Sequence, residues 1–316
     1  MGAGDETVWE RGLLWLEREK GGFALPPGPP DLFRLKALGE LAAIAEVLHR
    51  PADLGTARRG RARALLDFAW SQFGEGDVFV AVLDAQPYPV LGTMYSVFER
   101  VGLRHPPTRE RLARLGQPGA LARPAGTARA AAPPVAAQYG TDGVAVLCLG
   151  LGLAWDVLAL ASPWSRAALY PRTHLAQRVA AAALTVPEAY SLTHTVFFMT
   201  DWGAHPQALP EADRAFLCAQ APGWMDAFRR QGNFDLYAEL AAAVSCAGGA
   251  PGPAEVVLAA AQEQDGSVKG PAARVAERTQ GIEDAERRRF VAAYHTTLAA
   301  TLASFAATAG LFRAEG

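Results

Sequence analysis

Apolar residues recur along most of this chain at the three-to-four-residue spacing of an α-helix. Leu32, Leu35, Leu38, Leu41, Ile44 and Leu48 form one such stripe, with Asp31 placed to cap its start and Pro51 to stop it. Leu65, Leu66, Ala69, Trp70 and Phe73 form a second. Opposite that second stripe run Arg58, Arg59, Arg61 and Arg63, which are expected to form a solvated outer face. Similar periodic segments cover 78–102, 143–161, 174–185, 188–200, 211–230, 234–246, 253–263, 271–280 and 284–309. Period-two runs bounded by hairpin turns are absent, so the pattern predicts an all-α protein.

The stretch 143–161 is hydrophobic almost throughout and long enough to span a bilayer. Asp156 lies inside it, three glycines dilute it, and no Lys or Arg flanks it closely. It therefore predicts a buried core helix and no membrane span. Between helices, residues 21–30 read GGFALPPGPP, an extended connector after a first helix. Residues 117–134 mix Ala, Gly, Pro and Arg with few large hydrophobes and read as a lid, a linker or a plain surface loop. The expected organisation is one helical domain over 1–316 with that break inside it.

Composition narrows the function classes. The chain has 316 residues, half of them apolar, and a formal net charge of −2, so no global field draws it to nucleic acid or an anionic membrane. Cys148, Cys218 and Cys246 are widely spaced, odd in number and without a CxxC pair, as expected of buried thiols in a reducing compartment. The first ten residues carry acids and no apolar core of a secretion signal. The expectation is a cytoplasmic protein.

Two motifs carry a resemblance. Gln262, Asp265, Gly266 and Ser267 fit the QxxDGS part of the repeat of terpenoid cyclases, with Val268 where that family usually carries Trp. Tyr294, His295 and Thr296 resemble the YHT segment on an inner helix of protein prenyltransferase β subunits. The last 60 or so residues carry this likeness, and the rest of the chain shares only the helical pattern. Leu192 to Gly203 (LTHTVFFMTDWG) is also similar to a segment of actinobacterial proteins of unassigned function. The resemblance implies an α/α toroid, an inner and an outer ring of helices around a central pocket, and a place in secondary metabolism. It also implies His295 and Asp235 as ligands of a divalent metal, zinc by analogy. The Asp and Cys partners of that analogy stand two residues apart in the family, whereas Asp235 and Cys246 here are eleven apart. The aspartate clusters of terpene cyclisation, DDxxD and DxDD, are missing from the chain.

The densest cluster of chemically able side chains is Tyr190 to His205 (YSLTHTVFFMTDWGAH). A helix there puts Tyr190, His194, Phe198 and Asp201 on one face, with Trp202 and His205 just beyond. An imidazole and a carboxylate among aromatics are what acid–base work needs, although seven residues separate His194 and Asp201 by about 10.5 Å of helix. Both therefore reach one ligand only if Gly203 turns the chain back. His295 lies on the apolar stripe of 284–309, where a buried imidazole requires a partner. Asp235 and Glu239 stand four residues apart on a helix face, either as an inward carboxylate pair or as an N-cap and an outward Glu. The catalytic candidates are thus His194, Asp201, Glu239 and His295, with Tyr190, Phe198, Trp202 and Tyr294 as pocket walls. Nucleophile elbows, phosphate-binding glycine loops and basic aromatic stripes are absent. Two functions stay open: an enzyme acting on a small molecule or peptide, or a non-catalytic accessory protein presenting a substrate to a partner.

Overall fold

The computed structural model describes residues 6–26, 28, 32–85, 89–117, 140–178 and 184–309. Among them the regular elements are helical and no strand occurs. The longer helices are α1 (Val8–Arg18), α2 (Leu32–His49), α3 (Thr56–Gln72), α4 (Asp77–Ala85), α5 (Leu91–Arg100) and α6 (Pro106–Leu115). They continue with α7 (Gly143–Val157), α8 (Val186–Thr200), α9 (Glu211–Arg230), α10 (Phe234–Cys246), α11 (Ala254–Ala261), α12 (Ala272–Thr279) and α13 (Ala285–Thr308). The expected cap Asp31, and 118–134 of the proposed loop, lie outside the described residues.

Local chemistry explains the boundaries. Glu188 reaches back to the Thr185 amide at 2.8 Å, closing a capping box at the start of α8. Asn233 caps α10 by accepting from the Leu236 amide at 3.2 Å. The cap role considered for Asp235 therefore falls to Asn233, two residues earlier. The segment expected as one helix over 78–102 is split into α4 and α5, because Pro87 and Pro89 remove helical N–H donors in its middle. Of the segment expected over 174–185, His174–Gln177 forms one helical turn ended by Arg178 in the left-handed region, and 179–183 lie outside the described residues. Helix α6 escaped the periodicity because its first turn is two prolines and its apolar face is short.

Packing follows a simple order. Helix α2 packs on α5, α5 on α7, α7 on α8, α8 on α10, α10 on α13, and α13 on α2. Most others pack against this set: α3 on α2, α4 on α5, α9 on α10, and α1, α11 and α12 on α13, while α6 packs on α4. Every residue of α10 from Asp235 to Cys246 is buried, as a helix covered on all sides requires. Two stretches, Gly140–Val157 and Ala285–Thr308, are long and apolar enough to cross a membrane by length and composition, and 61% and 83% of their windows are buried inside the protein.

The arginine run of α3 lies at the surface, as expected, and also carries ion pairs to a neighbouring helix. Arg58 pairs with Glu10 and Arg61 with Glu17, tying α3 to α1. The QxxDGS turn is a second tie to α1. Gln262 Nε2 donates to the Val8 carbonyl at 3.0 Å, and Arg11 donates to the Glu263 carbonyl at 2.7 Å. Gly266 is required there: its φ is +93°, and a Cβ would stand 2.5 Å from the Arg11 carbonyl oxygen. Close approach also governs the α5–α7 contact, where a Cβ on Gly92 would stand 2.3 Å from the ring of Trp155, itself fully buried. Gly92→Ala is expected to cost about 1–3 kcal/mol through this overpacking. A shift of the urea midpoint at unchanged slope measures it, and an unmoved midpoint counts against the contact.

Candidate functional site

The six helices that pack in sequence, α2, α5, α7, α8, α10 and α13, all send side chains to one cavity of about 360 Å³. That is the space of roughly a dozen waters at about 30 Å³ each, near the lower end of small-molecule sites. Most of its wall is apolar: Ile44, Met94, Leu147, Phe197, Phe198 and Leu298 are representative. Polar groups gather at two places on that wall.

The first place is built by polar residues from four helices. Helix α2 supplies Lys36 and Glu40, α10 supplies Asp235 and Glu239, α8 supplies Tyr190, Thr193 and His194, and α13 supplies His295 and Thr296. His295 stands at the centre. Its Nδ1 is 3.4 Å from Glu40, and its Nε2 is 3.6 Å from Asp235 and 3.7 Å from Glu239. Lys36 lies 2.9 Å from the other oxygen of Glu40. Asp235 also accepts from the Tyr190 hydroxyl and from Thr296 at 3.2 Å, while Arg274 of α12 donates to the Tyr190 oxygen and lies 3.3 Å from Asp235. Glu239 accepts from Thr193 at 2.6 Å and stands 3.6 Å from His194 Nδ1.

Burial and these neighbours drive the proton affinities apart. For His194, burial and the nearby cations Lys36 and His295 lower the pKa to about 3, so the ring is neutral. Its Nδ1 is 3.0 Å from the Tyr190 carbonyl, which accepts only from an N–H, so the tautomer carries its proton there and Nε2 is the basic atom. For Glu239, burial and then the charge of Asp235 raise the pKa to about 8, so it carries a proton at neutral pH. Burial alone would strip His295 of its proton, but Asp235 and Glu40 outweigh it and raise the pKa. Burial likewise opposes ionisation of Glu40, yet Lys36 and His295 hold its carboxyl well below the usual range.

The second place is the end of α8. Asp201, Trp202 and Gly203 follow one another in the left-handed region, with φ of 52°, 55° and 87°. Two non-glycine residues in succession there are strained, and the surroundings hold them. Arg100 Nη2 contacts both carboxylate oxygens of Asp201 at 2.8 Å. Arg50 donates to the Asp201 carbonyl at 2.8 Å while gripping Glu46 with its Nε and Nη2. Trp202 stacks on Phe197 with ring centroids 4.8 Å apart. The strained turn thereby sets an indole in the cavity wall.

His194, Asp201, Glu239 and His295 all line this one cavity. Within it, His194, Glu239 and His295 cluster, whereas Asp201 is locked by two arginines about 10 Å along α8 from His194. Phe198 and Trp202 line the cavity as expected. Tyr294 does not, because it points the other way on α13 and stacks among Phe23, Phe33 and Phe290. Tyr190 is also drawn off the wall, its hydroxyl spent on Asp235 and Arg274. His205 is exposed beyond the turn. The proposed ligand pair His295 and Asp235 do meet, but among the described residues no three His, Cys, Asp or Glu side chains are arranged to hold a metal ion. Hydrogen bonds and ion pairs already occupy the carboxylates. Cys246 adds no soft ligand, since burial pushes its thiol up to about 12.

With the fold and cavity in view, one comparison identifies the chain. The family described as a domain of unknown function, DUF6895, matches residues 9–132 and 127–305. The chain belongs to that family. No curated protein and no solved structure matches it. In this DUF6895 chain, sequence reasoning missed Lys36, Glu40, Glu46, Arg50, Arg100 and Arg274. A signal did exist for four of them. Helix α2 is apolar on all sides, so its charges at 36 and 40, and those at 46 and just past its end at 50, had to find partners inside.

Proposed function

We propose that this DUF6895 chain is an acid–base enzyme that moves a proton on a small, largely apolar molecule held inside an α/α toroid. The toroid reading is supported by the packing order, in which α13 returns to α2 after each helix has met the next. The observation that carries the catalytic reading is the placement of His194 and Glu239 side by side on one apolar cavity wall. A neutral imidazole beside a protonated carboxyl is a base beside an acid, with opposite roles set by environment.

In the simplest step, Glu239 gives its proton to a carbonyl oxygen of the bound molecule, and His194 Nε2 takes one from the adjacent carbon. The product is the enol, and the reverse transfers restore the enzyme. His295, oriented by Asp235 and Glu40, whose charges favour its protonated form, stabilises the negative charge that develops on the oxygen. The apolar wall keeps water from competing.

A solvent-exchange experiment tests this. 2-Tetralone has an apolar body and one enolisable ketone; its uptake of deuterium from heavy water is followed by NMR. The protein is expected to accelerate exchange over buffer, and His194→Gln to lose about 100-fold of that acceleration. Saturation-transfer signals from bound tetralone without accelerated exchange would instead favour the non-catalytic holder, a role to which the paired charges of the cluster are equally suited.

A further inference from the structure

The chain carries 27 arginines but three lysines, Lys20, Lys36 and Lys269. Lys20 and Lys269 are exposed, the first over the ring of Phe68 and the second paired with Glu263. Lys36 lines the cavity instead: its side chain is 30% exposed and its Nζ lies 2.9 Å from Glu40. Arginine would serve that ion pair at least as well, since its planar fork matches a carboxylate. What arginine cannot do is give up its proton and attack a carbonyl carbon. The chain therefore departs from its preferred cation at a position where an amine faces the acid and the base of the cavity.

Lys36 and Glu239 approach His295 from its two nitrogens. Nζ of Lys36 meets one oxygen of Glu40, whose other oxygen is 3.4 Å from His295 Nδ1, and His295 Nε2 is 3.7 Å from Glu239. The charge of Lys36 also reaches His194, where it opposes protonation of the ring. Amine, acid and base thus share one end of an apolar cavity.

We infer that Lys36 is a covalent catalyst that binds the carbonyl carbon of the ligand as an iminium ion, an inference that rests on the carbonyl chemistry proposed above. The ammonium first releases a proton to water. The free amine adds to the carbonyl carbon, the N–C bond forms, and an amine proton passes to the former carbonyl oxygen. Glu239 gives its proton to that oxygen, which leaves as water while the nitrogen lone pair closes the C=N bond. The iminium stands where the ammonium stood, so Glu40 keeps its counter-charge throughout. His194 Nε2 then takes the proton from the adjacent carbon to give an enamine. It does so more readily than from the ketone, because the cationic nitrogen withdraws electrons. Reversal of each step returns the ketone and the lysine.

Cyanoborohydride reduces an iminium by hydride transfer to its carbon and leaves a stable secondary amine. Trapping with 2-tetralone, read by mass spectrometry, therefore tests the inference. One adduct per chain is expected on Lys36, formed about tenfold or more faster than on Lys20 or Lys269. Lys36→Arg keeps a cation beside Glu40, so it should hold the wild-type urea midpoint. It should also lose the adduct at that position and slow deuterium uptake by about tenfold or more. His194→Gln should still be trapped, since the base acts after the iminium has formed. Adducts spread over the three lysines by exposure, or undiminished exchange in Lys36→Arg, overturn the covalent role. Accelerated exchange without an adduct on Lys36 overturns it too, while acid–base catalysis stands. An adduct on Lys36 without accelerated exchange supports the iminium and removes the proton transfer instead.

Discussion

Arg50→Ala is expected to destabilise the protein by about 3–5 kcal/mol, the range for removing one partner of a buried ion pair. Glu46 is 4% exposed, and its carboxylate contacts Arg50 Nε and Nη2 at 2.6–2.9 Å. Without Arg50 a buried carboxylate has lost its cation, which costs far more than a surface pair. The same substitution takes the donor from the carbonyl of Asp201, inside a run of three left-handed residues. Of the two arginines that grip the turn placing Trp202 against Phe197, Arg100 then remains. Urea unfolding measures the loss, and near-ultraviolet circular dichroism should report the altered indole environment. Glu46→Gln in the Arg50→Ala background should recover part of the stability, because it removes the stranded charge. A loss under about 1 kcal/mol, or no recovery in the double variant, would show that the cluster is not the clamp described.

Glu239→Gln should change both the chemistry and the pH dependence of stability. The folded carboxyl titrates at about 8 against an ordinary 4.5, so between those pH values the native state holds a proton that the unfolded chain has released. Stability therefore falls as pH rises across that window, by up to about 1.4 kcal/mol per unit from this group. His295 adds to the same trend, because its raised pKa stabilises the fold at low pH and that contribution is lost as pH rises through it. Glutamine mimics the protonated acid and can still accept from Thr193. The variant should match the wild type near pH 5 and exceed it by several kcal/mol near pH 9. Tetralone exchange by the wild type should decline above about pH 8, and in Glu239→Gln it should be lost by about 100-fold or more. Parallel stability curves at pH 5, 7 and 9 would refute a raised Glu239, and full exchange in the variant would remove it from the proton path.

The sequence signals behind the candidate site were uneven in reach. His194 and His295 stood out because each is an imidazole on an apolar helical stripe, where burial demands a partner. The structure supplies those partners from far along the chain: Glu40 meets His295 across 255 positions, and Arg274 meets Tyr190 across 84. Tyr294 was misplaced for a related reason. Adjacent positions on a helix point about 100° apart, and only the packing of α1 and α2 decides which of Tyr294 and His295 meets the cavity.

By itself, then, the sequence determined the all-α class, most of the helices and the residues they bury, since 3.6-residue periodicity, caps and prolines act within a turn or two of the chain. It also offered Gly203 as the residue that turns the chain back after that helix. Tertiary structure alone decided that Asp201 is gripped by Arg50 and Arg100 and that Glu239 sits beside His194 with an altered proton affinity. Those outcomes depend on desolvation and on charges a few ångströms apart in space. Neither quantity has any period along the chain.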